Sequence, residues 1–70
     1  MKRIGEKLRT LRQKNNLTMR QLADILDTRD SHISRIENGQ KRPSSDLILR
    51  ISNFFNVTTD QLMKDDLELD

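Results

Sequence analysis

The feature that most constrains the fold of this chain is a six-residue pattern that occurs twice. Leu17–Leu22 (LTMRQL) and Val57–Leu62 (VTTDQL) share an apolar residue, Thr, two variable residues, Gln and Leu. In each copy the Thr hydroxyl can accept the N–H of the third helical residue, while the Gln side chain can return to the Thr amide. The flanking apolar residues can pack together across the helix start. The pattern therefore predicts helices beginning at Thr18 and Thr58.

Residues that end helices divide the rest of the chain. Asn15-Asn16, Asn38-Gly39 and Asn56 can each close a helix, because Asn and Gly tolerate the left-handed backbone conformation. The segment Pro43–Asp46 (PSSD) can open another helix through a Ser cap. Together these signals predict five helices, at about residues 2–14, 18–26, 30–37, 45–55 and 59–65.

Apolar residues recur at helical spacing throughout the chain. Two runs show this most clearly: Ile4, Leu8 and Leu11, and Leu47, Ile48, Ile51, Phe54 and Phe55. No segment alternates apolar and polar residues for long enough to form a strand. The predicted fold class is all-α, a compact five-helix domain, with Phe54, Phe55 and Met63 expected in the core and not in a ligand pocket.

The length of 70 residues allows one domain, which we place at residues 1–66 and which a short acidic tail, 67–70, follows. A domain of this size buries only ~60% of its unfolded surface, so a second subunit is one way to stabilise it. The chain has no Cys and a single histidine, His32, so no structural zinc or other metal site is expected. Its longest apolar run is three residues. We therefore expect no membrane association and a cytoplasmic location.

Charge is distributed unevenly along the chain. Residues 1–50 carry 12 Lys and Arg against 6 Asp and Glu, whereas residues 51–70 carry 1 against 5. A positive field over one part of a small domain suits a polyanion, although a solvated charged surface is the alternative interpretation. The chain lacks a paired nucleophile and base and a glycine-rich phosphate loop. We accordingly expect neither an enzyme nor a bound cofactor.

The segment between residues 27 and 38 predicts a short helix with two unlike faces. Ile33 and Ile36 can face inward together, whereas the polar residues cannot join them; these are Arg29, Asp30, Ser31, His32 and Arg35. Only three or four residues separate this helix from the preceding one, which is the spacing of a helix-turn-helix. A helix is about 10–12 Å across, and the DNA major groove is about 12 Å wide. The polar face is therefore suited to entering that groove.

Four segments together resemble the Cro and phage-repressor (Xre-type) helix-turn-helix family: Leu17–Leu26 (LTMRQLADIL), Ile33–Gly39 (ISRIENG), Arg42–Ser44 (RPS) and Val57–Leu62 (VTTDQL). The resemblance covers residues 4–64. It implies a five-helix domain with its helix-turn-helix at about residues 18–37, whose helix at about 30–37 reads bases. It also implies a double-stranded DNA operator as the partner, bound by a homodimer of a transcriptional repressor or activator.

Carried onto this chain, the resemblance implies three sets of site residues. The base-reading positions are Arg29, Asp30, Ser31, His32 and Arg35. The phosphate-binding positions are Thr18, Arg20, Asn38, Lys41 and Arg42. Arg12 and Glu37 are expected to form a buried structural ion pair. Arg35 can make a bidentate bond to guanine. His32 either reads a base or senses pH, and the alternative is a solvated surface residue.

The chain departs from the family pattern at three places. Met19 replaces a common Gln and cannot hydrogen-bond a phosphate. Asp27 replaces a common Gly in the turn and must adopt the left-handed conformation there. Arg29 replaces a common Ser or Thr and cannot cap the helix. Asp30 either caps that helix in its place, which would shift the helix start, or faces the DNA, where it accepts from a cytosine amino group or orients Arg29 or Arg35.

Apolar residues near the end of the chain predict a dimer interface at Met63, Leu67 and Leu69, since the acidic end should lie away from DNA; the rival is a frayed tail. The preferred function is a sequence-specific DNA-binding transcriptional regulator, expected to be a repressor, acting as a homodimer on two half-sites. The alternative is a protein-interaction module on the same fold, such as a bridging factor or an antitoxin-like partner. The absence of Trp and Tyr disfavours that alternative.

Overall fold

The computed structural model describes residues 3–69 and contains five α-helices and no strand within them. The helices are α1 (Ile4–Lys14), α2 (Met19–Ile25), α3 (Asp30–Glu37), α4 (Ser45–Phe55) and α5 (Thr59–Met63). The predicted all-α, five-helix fold is confirmed. Among these residues no helix exceeds 11 residues, and none is long and apolar enough to cross a bilayer.

Four helix ends differ from those predicted, and the two ends of α2 differ by one residue each, since α2 spans Met19–Ile25 and not 18–26. The first helix begins at Ile4; the predicted start at residue 2 lies outside the described residues. The last helix ends at Met63 instead of residue 65, because Lys64 has an extended backbone with φ −89° and ψ 118°. The side chain of Lys7 donates to the carbonyl oxygens of Gln61 and Lys64 at this end of the helix.

The two repeated patterns form the predicted capping boxes. The Thr18 hydroxyl accepts the Gln21 N–H at 3.0 Å, and Gln21 Oε1 accepts the Thr18 N–H at 2.9 Å. Thr58 and Gln61 repeat both bonds at 3.0 and 2.9 Å. Both helix starts are thus fixed by atoms within three residues of each other along the chain.

The helix-ending residues also adopt the expected backbone conformations. Asn16, Asp27 and Asn56 have φ of 56°, 56° and 55°, and Gly39 has φ of 76°. Asp27 therefore takes the left-handed turn position that the departure from the family pattern requires.

The core is formed by apolar residues of all five helices. Those buried most completely are Leu8, Leu22, Ile33, Ile36, Ile51 and Leu62. Gly5 lets α1 approach the end of α3, since a Cβ on Gly5 would lie 2.1 Å from the Ile36 carbonyl oxygen. The first turn of α1 therefore packs closely against the last turn of α3.

The expectation that Phe54 and Met63 lie in the core is wrong. Phe54 is 45% exposed and Met63 is 39% exposed, whereas Phe55 is half-buried against the core. Successive helical residues point about 100° apart, so the face of α4 that buries Phe55 turns Phe54 outward. The two rings still pack edge to face, with their centroids 4.8 Å apart.

The segment after α5 is docked on the start of α1. Lys7 is only 2% exposed, and its Nζ donates to the carbonyl oxygens of Gln61, Lys64 and Leu67. The backbone N–H of Arg3 donates to Asp65 Oδ1 at 2.9 Å. These contacts, with partial burial of residue 69, hold residues 65–69 against the domain and do not leave them as a frayed tail.

Candidate nucleic-acid interface

Helix α3 is fixed to α1 by a buried ion pair. Arg12 Nε donates to Glu37 Oε2 at 2.7 Å, and Arg12 Nη2 donates to Glu37 Oε1 at 3.0 Å. The Glu37 side chain is fully buried, and the hydrogen bond to it raises the pKa of Arg12. Arg12 Nη1 also donates to the Leu17 carbonyl at 3.0 Å. The guanidinium group thus connects α1, α3 and the segment that precedes α2.

Arg9 joins this pair, although the sequence did not identify it. Its Nε lies 3.3 Å from Glu37 Oε1, and its Nη2 donates to Asn38 Oδ1 at 3.0 Å. The available signal was the three-residue spacing of Arg9 and Arg12, which places both on one side of α1. Asn38 therefore uses its carbonyl oxygen within the fold, and its Nδ2 donates to Ser34 Oγ at 3.4 Å, which leaves one side-chain N–H that can reach a phosphate.

The first turn of α3 has no side-chain capping bond from its N-cap residue. Arg29 occupies the N-cap position in an extended conformation, and its side chain makes no capping bond. Asp30 is the first helical residue, and its Oδ1 accepts the Ser31 N–H at 2.8 Å. Asp30 thus binds a backbone amide without shifting the helix start. Its second carboxylate oxygen has no partner among residues 3–69.

An open groove of about 710 Å³, here called the α3 groove, runs along the exposed side of α3. It is lined by Asp27, Thr28, Arg29, Ser31, His32, Arg35 and Lys41. Four of the five predicted base-reading residues and one predicted phosphate-binding residue therefore meet at one surface. Asp27 and Thr28 were not predicted to belong to it. They enter because the left-handed backbone at residue 27 turns the chain directly into α3.

A helix-turn-helix family model matches residues 8–62 of the chain. The chain belongs to the helix-turn-helix family. Its helix-turn-helix comprises α2, the turn at residue 27 and α3. Among curated proteins it is 33% identical over 63 residues to the HTH-type transcriptional regulator ImmR of Bacillus subtilis, covering 90% of this chain and 50% of ImmR. It is 42% identical over 60 residues to the HTH-type transcriptional activator BcrR of Enterococcus faecalis, covering 86% of this chain and 29% of BcrR. The chain thus spans half or less of these two relatives.

Among solved structures, the P22 c2 repressor crystallised in complex with a synthetic operator is similar in fold. The TM-score is 0.83 at 25% identity, and the match covers 90% of this chain and 96% of the repressor chain. The predicted resemblance to the phage-repressor helix-turn-helix family is confirmed.

A group of basic side chains borders the helix-turn-helix and finds no partner in the part of the chain that the structure describes. Within residues 3–69 no hydrogen bond or ion pair engages the side chains of five basic residues: Arg20, Arg29, Arg35, Lys41 and Arg42. All five are exposed, and three of them line the α3 groove. The surface therefore carries positive charge that no carboxylate of the described residues neutralises by contact.

His32 experiences this charge directly. Partial burial, and then the positive charges of Lys41 and Arg35, hold the pKa of His32 below its ordinary value. The protonated imidazole is therefore disfavoured in the free protein.

The start of α2 presents two of the predicted phosphate-binding residues. Thr18 is exposed, and because its oxygen accepts the Gln21 N–H its hydroxyl hydrogen can point outward as a donor. Arg20 is exposed one residue into the helix. Met19 instead packs partly against the core. Its side chain therefore cannot donate a hydrogen bond, as the Gln common at this position in the family can.

Proposed function

We propose that this chain is a sequence-specific, double-stranded DNA-binding regulator that inserts α3 into the major groove. The observation that carries the proposal is the set of five exposed cations that have no partner within residues 3–69, three of them in the α3 groove. Phosphates supply the missing anions in a protein–DNA complex. One relative is named a transcriptional regulator and the other a transcriptional activator, which supports a regulatory role and not an enzymatic one.

We assign base reading to the exposed face of α3. Arg35 can donate two bonds to O6 and N7 of guanine, and Ser31 can bond to several bases. The free oxygen of Asp30 can accept from the amino group of cytosine. Arg29 and His32 complete this set within the α3 groove.

Phosphate contacts would fix the orientation of the domain on the duplex. We assign them to residues on either side of α3: Thr18, Arg20, Asn38, Lys41 and Arg42. Such contacts supply affinity without sequence information. The Arg12–Glu37 pair would contribute indirectly, because it fixes α3 relative to α1.

We further propose that the chain acts as a homodimer through the end of α5 and the turn that follows it. Met63 is 39% exposed and Leu67 is 38% exposed, so both offer apolar surface to a second chain. Leu69, the third predicted interface residue, is already half-buried against the core and contributes less. A two-fold dimer would present two copies of α3 about 34 Å apart, on half-sites one helical turn apart.

Sedimentation at micromolar concentration tests the dimer. Met63→Glu and Leu67→Glu should shift the parent dimer toward monomer, whereas Leu49→Glu, at the 53% exposed Leu49 of α4, should leave it unchanged. If the parent chain and all three variants sediment alike, the interface lies elsewhere or does not exist.

The DNA proposal is tested by selecting binding sites from a pool of random duplexes and measuring affinity at several salt concentrations. With about four to six phosphate contacts per subunit, the slope of log K against log salt should be about −7 to −11 for a dimer. Affinity that stays flat between 50 and 200 mM salt would exclude this function. It would favour the alternative protein-interaction module.

The proposed regulatory outcome is repression, because the P22 c2 protein, which is similar to this chain in fold, is named a repressor. A reporter gene that carries the selected site across its promoter should lose expression when this chain is produced. Increased expression would instead assign the chain an activating role, as named for BcrR.

A further inference from the structure

His32, the single histidine of the chain, lies in the α3 groove between two cations. Arg35 is on the next turn of α3, and Lys41 comes from the connection between α3 and α4. The imidazole is half-buried, and neither ring nitrogen has a hydrogen-bond partner among residues 3–69. Its protonation therefore depends on whatever fills the groove.

The charged groups around His32 are mostly positive. Arg35 faces it from α3, Lys41 from the following loop and Arg29 from the N-cap, while Asp27 of the preceding turn is the carboxylate in the groove lining. Asp30 is engaged by the Ser31 N–H. Positive neighbours and burial both disfavour the imidazolium ion.

DNA in the groove would offset the neighbouring positive charge, and its hydrogen-bond acceptors would compensate the imidazolium ion for the added burial. Phosphate oxygens and guanine acceptors would offset the charge of Lys41 and Arg35, and they would accept hydrogen bonds from the imidazolium ion. A neutral imidazole donates from one nitrogen, whereas the protonated ring donates from both. DNA would therefore bind the protonated form of His32 more tightly than the neutral form.

We propose that His32 takes up a proton when DNA fills the α3 groove, so that this chain binds DNA more tightly at pH 6 than at pH 8. The proposal rests on the DNA-binding function proposed above. By linkage, affinity can change by at most about tenfold per pH unit for one proton per subunit. We expect a gain of roughly threefold or more per subunit between pH 8 and pH 6.

The first experiment examines the free chain and needs no DNA. A titration of the His32 ring protons by NMR should show a higher pKa in Lys41→Met than in the parent, because a neighbouring positive charge is removed. Lys64→Met is the matched control, since Lys64 lies at the end of α5 beside Asp60 and its loss should not move the titration. Equal shifts in both variants would contradict the groove geometry.

The second experiment measures the affinity of the parent and of His32→Gln for the duplex selected from the random pool, at pH 6 and at pH 8. The pH dependence should be lost in His32→Gln, which retains the α-amino terminus that also titrates in this range. Titration of the bound parent by NMR provides a second measurement, in which the pKa of His32 should rise on binding. That measurement remains informative if His32→Gln folds poorly.

The outcomes separate this proposal from the one on which it rests. Salt-dependent DNA binding whose affinity does not vary with pH, with an unshifted His32 titration in the complex, would overturn the proton uptake and leave the DNA-binding function intact. Failure to bind any duplex at either pH would overturn both.

Discussion

Two sets of basic residues in this chain differ in where their charge is neutralised. One set finds its anionic or carbonyl partners inside the fold: Arg3, Lys7, Arg9, Arg12, Arg50 and Lys64. The other has no such partner within residues 3–69: Arg20, Arg29, Arg35, Lys41 and Arg42. The first set includes the cations that connect distant segments, whereas the second borders the helix-turn-helix.

The comparison shows that charge counting alone does not locate a binding surface. Residues 1–50 carry the whole second set and, apart from Lys64, the whole first set, so the excess of basic residues in that range has two origins. A buried charge requires a partner because removing it from water is costly. An exposed cation needs no partner within the protein, because water solvates it, and it can bind an external anion. Substitutions in the first set should therefore change the stability of the fold, whereas substitutions in the second set should change the affinity for DNA.

The largest effect on stability is expected for Arg12→Ala. This change leaves the fully buried Glu37 carboxylate with only the longer Arg9 contact, so it should lower the free energy of unfolding by about 3–5 kcal/mol. Urea unfolding measures the change. Arg35→Ala is the control and should stay within about 0.5 kcal/mol of the parent. Similar losses for the two variants would remove the distinction between the sets.

Lys7→Met should have the next largest effect on stability. The buried ammonium group donates to three carbonyl oxygens, and Met leaves these without their charged donor, so we expect a loss of about 2–3 kcal/mol. Amide exchange should accelerate most in residues 64–69. Lys64→Met, which removes an exposed cation 3.8 Å from Asp60, should change stability by less than about 0.5 kcal/mol. Unchanged exchange in Lys7→Met would show that the docking has another source.

For the unpaired set the expected effect is on DNA affinity. Arg35→Ala should cost about 1–3 kcal/mol on the preferred site and relax the preference at one base pair. Lys41→Ala should weaken binding to all sequences similarly and reduce the salt slope by about 1. Competition binding with preferred and random duplexes measures both. Equal losses on the two duplexes for Arg35→Ala would assign that residue to the phosphate backbone.

The smallest effect is expected for the exposed pair of Arg3 and Glu68, whose atoms Nη1 and Oε1 lie 3.1 Å apart. The hydrogen bond from Arg3 lowers the pKa of Glu68 in the folded chain. The ion pair therefore stabilises the fold above the ordinary pKa of a Glu carboxyl group, and this contribution is lost as pH falls through the lowered pKa of Glu68. Glu68→Gln should be slightly less stable than the parent at pH 6 and equal to it at pH 2. A difference that persists at pH 2 would contradict this ion pair as the cause.

The helix boundaries could be predicted from the sequence because their determinants are local. Thr18 and Gln21 exchange two hydrogen bonds across three residues, and Asp27 or Asn56 ends a helix through its own backbone angle. The apolar spacing likewise indicated which residues of α3 face inward. The exposure of Phe54 could not be obtained this way, because both Phe54 and Phe55 fit a helical repeat and only packing against other helices selects one.

The positions of the five helices, the helix-turn-helix and the polar residues of α3 could be read from local sequence. Which cations are neutralised inside the fold depends on tertiary packing, because their partners are distant in the chain. Lys7 binds the Leu67 carbonyl across 60 residues, and Arg12 binds Glu37 across 25. An isolated basic residue has the same chemistry in either set. Its role depends on whether folding brings an acceptor within hydrogen-bond distance of its side chain.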